Sequence, residues 1–292
     1  MRILVTGASG FIGRHLLRRL VEAGCFEVFA VARGPNPESD PSVHWISVDL
    51  ADHNDFAGLP SAMDAVVHLA QSRSYRTFPD GAPDVYRINV DATFQLLEWA
   101  RSTGVRTLVH ASTGSVYRPQ PYRLTEGAAT SADSFYAASK IAAEALCAAY
   151  APVLPVTVLR LFAVYGPGPS DSVFSRLLRR IARGETIELD GGLGLITTPT
   201  YVTDCVDAIV QSLLTAEALR TFNICGDEEI SLRDACVIFG ALLNREPHLL
   251  GNDKSPARLS GDNSQARCAL RWQPRHSLRE GLTALVRAHR EQ

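Results

Sequence analysis

A phenol and an ammonium group stand one helical turn apart in the stretch Tyr136-Ala-Ala-Ser-Lys140. Side chains four residues apart lie on the same face of a helix, so the two groups can come close together. A positive charge beside a phenol favours the phenolate and draws its pKa from about 10 toward the working range. The pair can therefore donate and accept a proton, although the same spacing also occurs on solvated helix faces.

Three glycines spaced three residues apart follow the first apolar run of the chain. Residues 1–6 are mostly apolar, and Gly7, Gly10 and Gly13 come next. Apolar residues then recur every three or four positions up to Gly24, which predicts a helix that ends at a left-handed glycine. A strand, glycine loop and helix can bind a pyrophosphate, because the backbone approaches it closely and the helix N-terminus offers N–H groups. The alternative is a tight turn that binds nothing.

The composition is that of a globular protein with a full hydrophobic core. The chain has 292 residues, 46% hydrophobic and 21% charged, enough for one large domain or a domain with a smaller lobe. The net charge of -2 gives no electrostatic reason to expect nucleic acid or an anionic membrane as a partner. We expect no signal peptide and no membrane span. The six cysteines lack metal-ligand spacing, which predicts reduced thiols in a cytoplasmic protein and no metal site.

Apolar runs typical of strands recur along the first part of the chain, with amphipathic helical stretches between several of them. These runs are Glu27–Ala32, His44–Val48, Ala65–Leu69, Thr107–Ala111 and Pro155–Leu161. Strands separated by helices imply a parallel sheet covered on both faces. We therefore predict an α/β fold, a doubly wound parallel sheet (Rossmann fold), in a nucleotide-binding domain of residues 1–165. Residues 34–41 are polar and proline-rich, which predicts a loop rather than a domain linker.

The pattern loosens after residue 165. Val173–Ala182 and Ser231–Leu243 have helical periodicity, and Thr221–Ile224 is typical of a strand. Glycine, proline and aspartate punctuate the remainder. Residues 166–292 are therefore predicted to form a smaller C-terminal α/β lobe, from which segments at about 200–225 return to the large sheet.

Short motifs occur in the order found in extended short-chain dehydrogenases/reductases. They are Thr6–Gly13, Asp49–Leu50, His68–Ala70, Asn89–Val90, His110–Tyr117, Tyr136–Lys140, Leu159–Pro167, Tyr201–Asp204, Phe222–Ile224, Asp262–Ala266 and Leu270–Pro274. Over nearly its whole length the chain resembles the nucleotide-sugar epimerase/dehydratase group. The resemblance implies an NAD(P)-dependent enzyme whose smaller lobe binds a sugar or sugar nucleotide. It also implies a homodimer that associates through helices near Asn89–Arg101 and Asp133–Ala149.

The resemblance implies a role for each matching residue. Tyr136 would be the general acid/base, Lys140 would lower its pKa and hold the nicotinamide ribose, and Thr113 would bind the reacting oxygen. His68 is interpreted as a core residue at a strand end. The implied cofactor-binding residues are Gly7, Gly10, Phe11, Ile12, Gly13, Arg33, Asp49, Leu50, Leu69, Ala70, Gln71, Asn89, Ala111, Ser112, Tyr136, Lys140 and Phe162. The candidate substrate residues are Ser72, Arg73, Ser115, Arg176 and Arg258.

The end of the second strand bears on the choice of cofactor. An acidic residue there would accept hydrogen bonds from the ribose hydroxyls of NAD. The strand ends instead at Ala32, and Arg33 follows. A guanidinium can pair with a 2′-phosphate, with Arg14 lying on the same side, so the sequence favours NADP over NAD. The alternative is that Arg33 is a solvated loop residue and either dinucleotide binds.

The residues after Thr113 bear on which reaction the enzyme catalyses. Relatives that remove water from a sugar have an acidic pair at this position, whereas this chain has Gly114 and Ser115. Neither can act as a carboxylic acid, which argues against a dehydratase. Two reactions stay open, epimerisation and net reduction of a ketone. A regulator that senses NADP without turnover is a further alternative, but it would not need the hydroxyls of Thr113 and Tyr136.

Two positions at which family members bind the substrate depart from the family pattern. Family members that bind a nucleotide diphosphate usually have asparagine where this chain has Ala163, and arginine where it has Thr197. Losing a charged donor to phosphate costs about 1.5–3 kcal/mol, so another group substitutes or the substrate lacks the diphosphate. Arginines at helical spacing could supply the charge or form a solvated face; they are Arg176, Arg179, Arg180 and Arg183.

Overall fold

The computed structural model describes residues 1–34, 40–215 and 219–291, with the backbone alone at residues 53–55. Residues 35–39 of the predicted polar loop lie outside the described residues. The strands are β1 (Arg2–Thr6), β2 (Glu27–Ala32), β3 (Val43–Ser47), β4 (Ala65–His68), β5 (Thr107–Thr113), β6 (Val156–Leu161), β7 (Ile187–Asp190), β8 (Ile196–Thr197), β9 (Leu219–Ile224), β10 (Ile230–Ser231), β11 (Leu249–Asn252) and β12 (Arg258–Leu259).

Helices occur along the whole chain and alternate with the strands in its first half. The helices are α1 (Phe11–Ala23), α2 (Ala82–Tyr86), α3 (Ala92–Ser102), α4 (Phe135–Tyr150), α5 (Val173–Arg183), α6 (Val202–Leu213), α7 (Leu232–Leu243), α8 (Ser264–Leu270) and α9 (Leu278–Arg290). A turn of π-helix, Arg87–Asp91, joins α2 to α3. In the described ranges, no helix is both long enough and apolar enough to cross a membrane.

A seven-stranded sheet has the order β3-β2-β1-β4-β5-β6-β9. The pairs of β1 with β2 and β4, of β2 with β3 and of β4 with β5 are parallel. Order 3-2-1-4-5-6 is that of the doubly wound dinucleotide-binding fold, so the predicted fold class is confirmed. β4 is buried along its whole length, because helices cover both faces of such a sheet.

Local signals explain why these elements form where they do. Helix α1 ends at Gly24, whose φ of 67° is left-handed, as the sequence predicts. The strand predicted at Glu27–Ala32 has the same bounds in the structure. The helices predicted at Val173–Ala182 and Ser231–Leu243 are confirmed as α5 and α7, and the side chain of Ser231 caps α7.

The chain divides into two compact units. Unit 1 comprises Met1–Val116, Thr130–Arg160 and Val206–Phe222, and unit 2 comprises Tyr117–Ala129, Leu161–Cys205 and Asn223–Gln292. The core of unit 1 lies around Leu4, Val66, Leu96, Leu108 and Val158. The core of unit 2 lies around Phe174, Ile181, Phe239, Leu282 and Val286.

Unit 2 contains two small sheets that the sequence did not indicate. One pairs β7 with β11, and the other has the order β10-β8-β12. Strands of two to four residues carry too little periodicity to be recognised from a single sequence. The division of function at residue 165, with a substrate-binding lobe beyond it, stays a prediction.

Candidate active site

The loop after β1 leaves no room for side chains at its glycines. Gly7 has a positive φ of 68°, and a Cβ atom there would lie 2.7 Å from the backbone nitrogen of Ala70. A Cβ atom at Gly13 would lie 2.3 Å from the Gly7 carbonyl oxygen. Helix α1 begins after Gly10, which offers no side-chain cap. The N–H groups that the first turn of a helix leaves unpaired can therefore meet an anion at close range.

Buried hydrogen bonds fix the end of β4. His68 Nδ1 lies 2.7 Å from Thr6 Oγ1, and His68 Nε2 lies 3.0 Å from Thr93 Oγ1. The backbone N–H of Ala70 donates to the same Thr6 oxygen at 3.3 Å. Burial, with a smaller contribution from the charge of Lys140, lowers the pKa of His68 to about 3. The neutral His68 ring therefore holds the strand end.

Tyr136 lies in the first turn of α4. The side chain of Ser134 caps this helix by accepting a hydrogen bond from the backbone N–H of Ala137 at 3.1 Å. The Tyr136 hydroxyl donates to Gln71 Oε1 at 3.0 Å, and the Thr113 side chain lies close enough to lower the pKa of Tyr136. The structure thus brings together the predicted phenol and threonine.

The pKa of Tyr136 differs from the expectation drawn from its spacing to Lys140. Burial raises this pKa above the ordinary range of a phenol, and Tyr75 adds to the rise. The Thr113 side chain and the charge of Arg76 act in the opposite direction without cancelling the rise. In this structure burial therefore outweighs the lowering that was expected from Lys140.

Lys140 is buried one turn behind the phenol. Its side chain is 2% exposed, and Nζ donates to the Ala111 carbonyl oxygen at 2.8 Å. Burial lowers the pKa of Lys140 to about 8, against the opposing influence of Cys147 and Glu144. The ammonium therefore titrates within reach of physiological pH.

The π-helical turn carries Asn89 into the interior of unit 1. Asn89 Nδ2 donates to Ser139 Oγ at 3.0 Å, and Asn89 Oδ1 accepts from the backbone N–H of Ser72 at 2.9 Å. Ser139 Oγ donates in turn to the carbonyl oxygen of Tyr136 at 2.8 Å. Asn89 therefore links the segment after β4 to the first turns of α4. π-Helical turns are frequent at functional sites, but no pattern of residues predicts this one.

A buried ion pair lies beside Lys140. Arg160 of β6 contacts both oxygens of Glu144 on α4, with nitrogen–oxygen distances of 3.1 Å and 2.6 Å. Ser112 of β5 donates to the same carboxylate. These contacts tie α4 to the two strands next to it. Neither Glu144 nor Arg160 was predicted as a site residue from the sequence. The available signal was the position of Glu144 four residues after Lys140.

The segment Gln71–Arg76 surrounds the phenol with further side chains. The ring of Tyr75 lies 4.9 Å from that of Tyr136, and the Arg76 guanidinium lies 4.8 Å above the Tyr75 ring. Neither residue belongs to a motif that the sequence singled out. Their position directly after a central strand was the usable signal, because ligands of such sheets bind beyond the carboxyl ends of the strands.

Other predicted residues of unit 1 differ in their surroundings. Ser72 is buried and its hydroxyl donates to Asp84, whereas Arg73 is exposed. Ser115 is exposed, and its backbone N–H donates to Thr113 Oγ1 at 3.2 Å. The predicted cofactor-binding residues that are half-buried are Phe11, Ile12, Leu69 and Ala70. Their assignments to substrate and cofactor stay predictions.

The residues predicted to bind the adenosine end follow β2 and β3. Arg33 is exposed directly after β2. Asp49 Oδ1 accepts a hydrogen bond from the backbone N–H of Ala51 at 3.0 Å, and Leu50 is buried. Both positions lie at the carboxyl edge of the sheet, where this fold binds dinucleotides.

The predicted arginines of unit 2 have protein partners. Arg258 lies 2.8 Å from Glu229 and donates to the Pro121 carbonyl oxygen at 2.6 Å. Arg176 donates to the carbonyl oxygen of Asp171 at 2.7 Å and lies 3.5 Å from its carboxylate. An anionic ligand at either arginine would compete with these contacts.

Phe162 is buried in unit 2 between backbone hydrogen bonds. Its N–H donates to the Ile224 carbonyl oxygen at 3.0 Å, and its carbonyl oxygen accepts from the N–H of Thr200 at 3.0 Å. Ala163, the next residue, has a positive φ of 38°. This conformation is unfavourable for alanine and more acceptable for asparagine, the residue that the family pattern has here.

Comparisons with known proteins show the family to which the chain belongs. The sequence model of the NAD dependent epimerase/dehydratase family matches residues 3–225. The chain is 31% identical to the uncharacterized UDP-glucose epimerase YtcB of Bacillus subtilis (strain 168), over 97% of this chain and 96% of that protein.

Two solved structures are similar over the whole chain. MoeE5 in complex with UDP-glucose and NAD has a TM-score of 0.89 and 32% identity, covering 100% of this chain and 99% of its own. UDP-glucuronic acid 4-epimerase from Bacillus cereus, in complex with UDP-glucuronic acid and NAD, has a TM-score of 0.90 and 26% identity at the same coverage.

The fold, glycine loop and tyrosine–lysine pair are those of an enzyme of the extended short-chain dehydrogenase/reductase type. Within that class, the chain belongs to the NAD dependent epimerase/dehydratase family.

Proposed function

We propose that this protein is an NAD(P)-dependent epimerase that inverts one secondary alcohol carbon of a nucleotide sugar. The observation that carries the proposal is the Tyr136 hydroxyl, close enough to the Thr113 side chain for that side chain to lower its pKa, with Lys140 one turn behind it on α4. Such a relay can move a proton while a hydride is transferred. The ligands of the two similar structures, UDP-glucose and UDP-glucuronic acid, support a nucleotide sugar as substrate.

Each residue of the relay has its own proposed task. Thr113 binds the oxygen of the reacting alcohol, and the phenolate of Tyr136 accepts the proton of that oxygen as the carbon that bears it gives up its hydride. The nicotinamide dinucleotide, when bound, supplies the chemistry of taking and returning the hydride. Tyr136 returns the proton to the same oxygen after the ketone has presented its other face. Lys140 holds the ribose and, when charged, favours the phenolate form of Tyr136.

The glycine loop fits a dinucleotide. The backbone at Gly7 and Gly13 is so close to neighbouring backbone atoms that any side chain would clash, and α1 begins without a side-chain cap. Both features suit a pyrophosphate at the helix N-terminus. We propose that Asp49 and Leu50 flank the adenine, that Phe162 packs near the nicotinamide, and that the remaining contacts come from Phe11, Ile12, Leu69, Ala70, Asn89, Ala111 and Ser112.

The residues and the relatives support different dinucleotides. Arg33, exposed after β2 where an acidic residue would bind the NAD ribose, supports NADP. The NAD bound in both similar structures supports NAD. Dissociation constants of both dinucleotides, measured on the wild type and Arg33→Ala, decide between them. If Arg33 binds the 2′-phosphate, the variant loses affinity for NADP and keeps its affinity for NAD.

Turnover of UDP-glucose and UDP-glucuronic acid tests the epimerase proposal. We expect proton NMR to detect an epimer of one of them with the wild-type protein. Tyr136→Phe removes only the reacting hydroxyl, so this variant should form no epimer while it still binds the dinucleotide. Equal epimer formation by the wild type and Tyr136→Phe would contradict the assigned relay.

A net ketoreductase that uses NADPH and a non-nucleotide substrate is a second candidate. It is favoured by Ala163 and Thr197, which replace the asparagine and arginine that relatives use to bind a diphosphate. Oxidation of NADPH by simple keto sugars, with no turnover of nucleotide sugars, would support it. Gly114 and Ser115 argue against a dehydratase in either case, because neither supplies a carboxylic acid.

We further propose a homodimer in the cytoplasm. Exposed apolar side chains on α2 and α3 support association, since Tyr86 is 56% exposed and Phe94 is 39% exposed. Light scattering at several protein concentrations measures the oligomeric state, and a monomer at every concentration would contradict the dimer. The free thiols of all six cysteines suit a reducing compartment.

A further inference from the structure

Gln71 contacts the atom that carries the proposed chemistry. The Tyr136 hydroxyl donates its hydrogen bond to Gln71 Oε1 at 3.0 Å. A phenol has one hydrogen to donate, so this bond uses the whole donor capacity of Tyr136.

The backbone around Gln71 is fixed on both sides. The N–H of Ala70 donates to Thr6 Oγ1 at 3.3 Å, and the N–H of Ser72 donates to Asn89 Oδ1 at 2.9 Å. The Gln71 side chain itself is exposed and has three rotatable bonds. The side chain can therefore rotate away from the phenol while the backbone of Gln71 stays in place.

The amide oxygen of Gln71 stands in for the oxygen of a substrate. In the proposed reaction the ketone oxygen must accept a hydrogen bond from Tyr136 before it takes the proton. Gln71 Oε1 accepts that same bond in the structure, so the amide and the substrate compete for one hydrogen. A bond that forms only with the protonated phenol also disfavours the phenolate.

We propose that Gln71 is a positioning residue of this enzyme, a latch whose amide oxygen holds the Tyr136 hydrogen until the substrate oxygen displaces it. Once the latch is displaced, the phenol releases that proton to solvent, and the resulting phenolate accepts the proton of the substrate alcohol. The proposal rests on the role proposed above for Tyr136. Removal of the amide should free the hydroxyl for substrate and make the phenolate easier to form. A carboxylate in its place should hold the proton more strongly, because an anion beside a phenol disfavours a second negative charge.

Other titratable groups face the phenol and must stay constant in the test. They are Tyr75 and Arg76 from the segment after β4. Gln71 carries no charge, so replacing it with methionine removes a hydrogen bond and leaves the charges of this group unchanged.

The first measurement needs no substrate. Protein labelled with ¹³C at the tyrosine ζ carbons and saturated with NAD or NADP, whichever binds more tightly, is titrated by NMR up to the highest pH at which it stays folded. Tyr136→Phe identifies the Tyr136 signal, and the onset of its titration reports the change in pKa between variants. We expect Gln71→Met to lower the pKa of Tyr136 by about 0.5–1 unit, the value of one ordinary hydrogen bond. Gln71→Glu should raise it. Gln265→Met, at an exposed glutamine on α8, is the matched control and should change nothing.

The second measurement uses whichever nucleotide sugar the wild type turns over. Gln71→Met should lower KM several-fold and move the acidic limb of the pH–rate profile downward, in step with the NMR titration. An unchanged or raised Tyr136 pKa in Gln71→Met would overturn the latch. If no nucleotide sugar is turned over, the proposed function fails, whereas the NMR titration still reports on the hydrogen bond.

Discussion

Replacing Lys140 with methionine removes a buried amine and keeps the length of the side chain. The lysine is 2% exposed, and burial lowers its pKa from 10.5 to about 8. A shift of this size means that the charged form costs on the order of 3 kcal/mol in the folded state at neutral pH. Replacing the lysine removes this cost, but loss of the hydrogen bond to Ala111 offsets about 1 kcal/mol of the gain in stability. We therefore expect Lys140→Met to raise the free energy of unfolding by roughly 2 kcal/mol and to abolish turnover.

The stability difference should shrink at high pH. Between the folded pKa of about 8 and the ordinary value of 10.5, the unfolded chain binds more protons than the folded one. The free energy of unfolding of the wild type therefore rises with pH across this interval. Lys140→Met lacks this titration, so its advantage is greatest below pH 8 and declines above it.

Urea unfolding followed by tryptophan fluorescence measures the stability difference and its dependence on pH. At about pH 7 the folded lysine is charged, and at about pH 9.5 it is mostly neutral. Lys254→Met, which removes an exposed lysine, is the control and should show no pH-dependent difference from the wild type. A Lys140→Met variant that is less stable than the wild type by the same amount at both pH values would refute the reasoning.

Three further predictions follow from contacts in the structure. Glu144→Gln leaves the buried Arg160 charge without its anion and should lower the free energy of unfolding by about 3 kcal/mol, measured by urea unfolding. Ala163→Gly relieves the positive φ of 38° and should raise stability by up to about 1 kcal/mol, whereas the same change in a helix lowers it. Arg76→Gln removes a charge that lowers the pKa of Tyr136, so the acidic limb of the pH–rate profile should move to higher pH. An unmoved limb would show that Arg76 does not act on the phenol.

Elements set by local signals could be predicted from the sequence. The glycine loop combines φ > 0 at Gly7 with close backbone contact at Gly13, and both requirements leave a visible spacing of glycines. Helix α4 was recognisable through the Tyr136–Lys140 spacing. Ser134, which caps it, is likewise a residue type favoured at that position.

Contacts between distant residues could not be predicted in the same way. The hydrogen bond between Tyr136 and Gln71 joins positions 65 residues apart, and no local pattern reports it. The pKa of Tyr136 was expected to fall because Lys140 is near in sequence, but burial raises it, and burial depends on packing. The π-helical turn at Asn89 likewise has no signature in composition or periodicity.

Transfer of a label at the inverted carbon tests the central claim most directly. The wild-type protein is incubated with UDP-glucose or UDP-glucuronic acid that carries deuterium at the carbon to be inverted, in ordinary water. Reversible hydride transfer predicts an epimer that keeps its deuterium, with no such product from Tyr136→Phe. An epimer that has exchanged its deuterium for solvent hydrogen, or one that forms equally well in Tyr136→Phe, would contradict the mechanism.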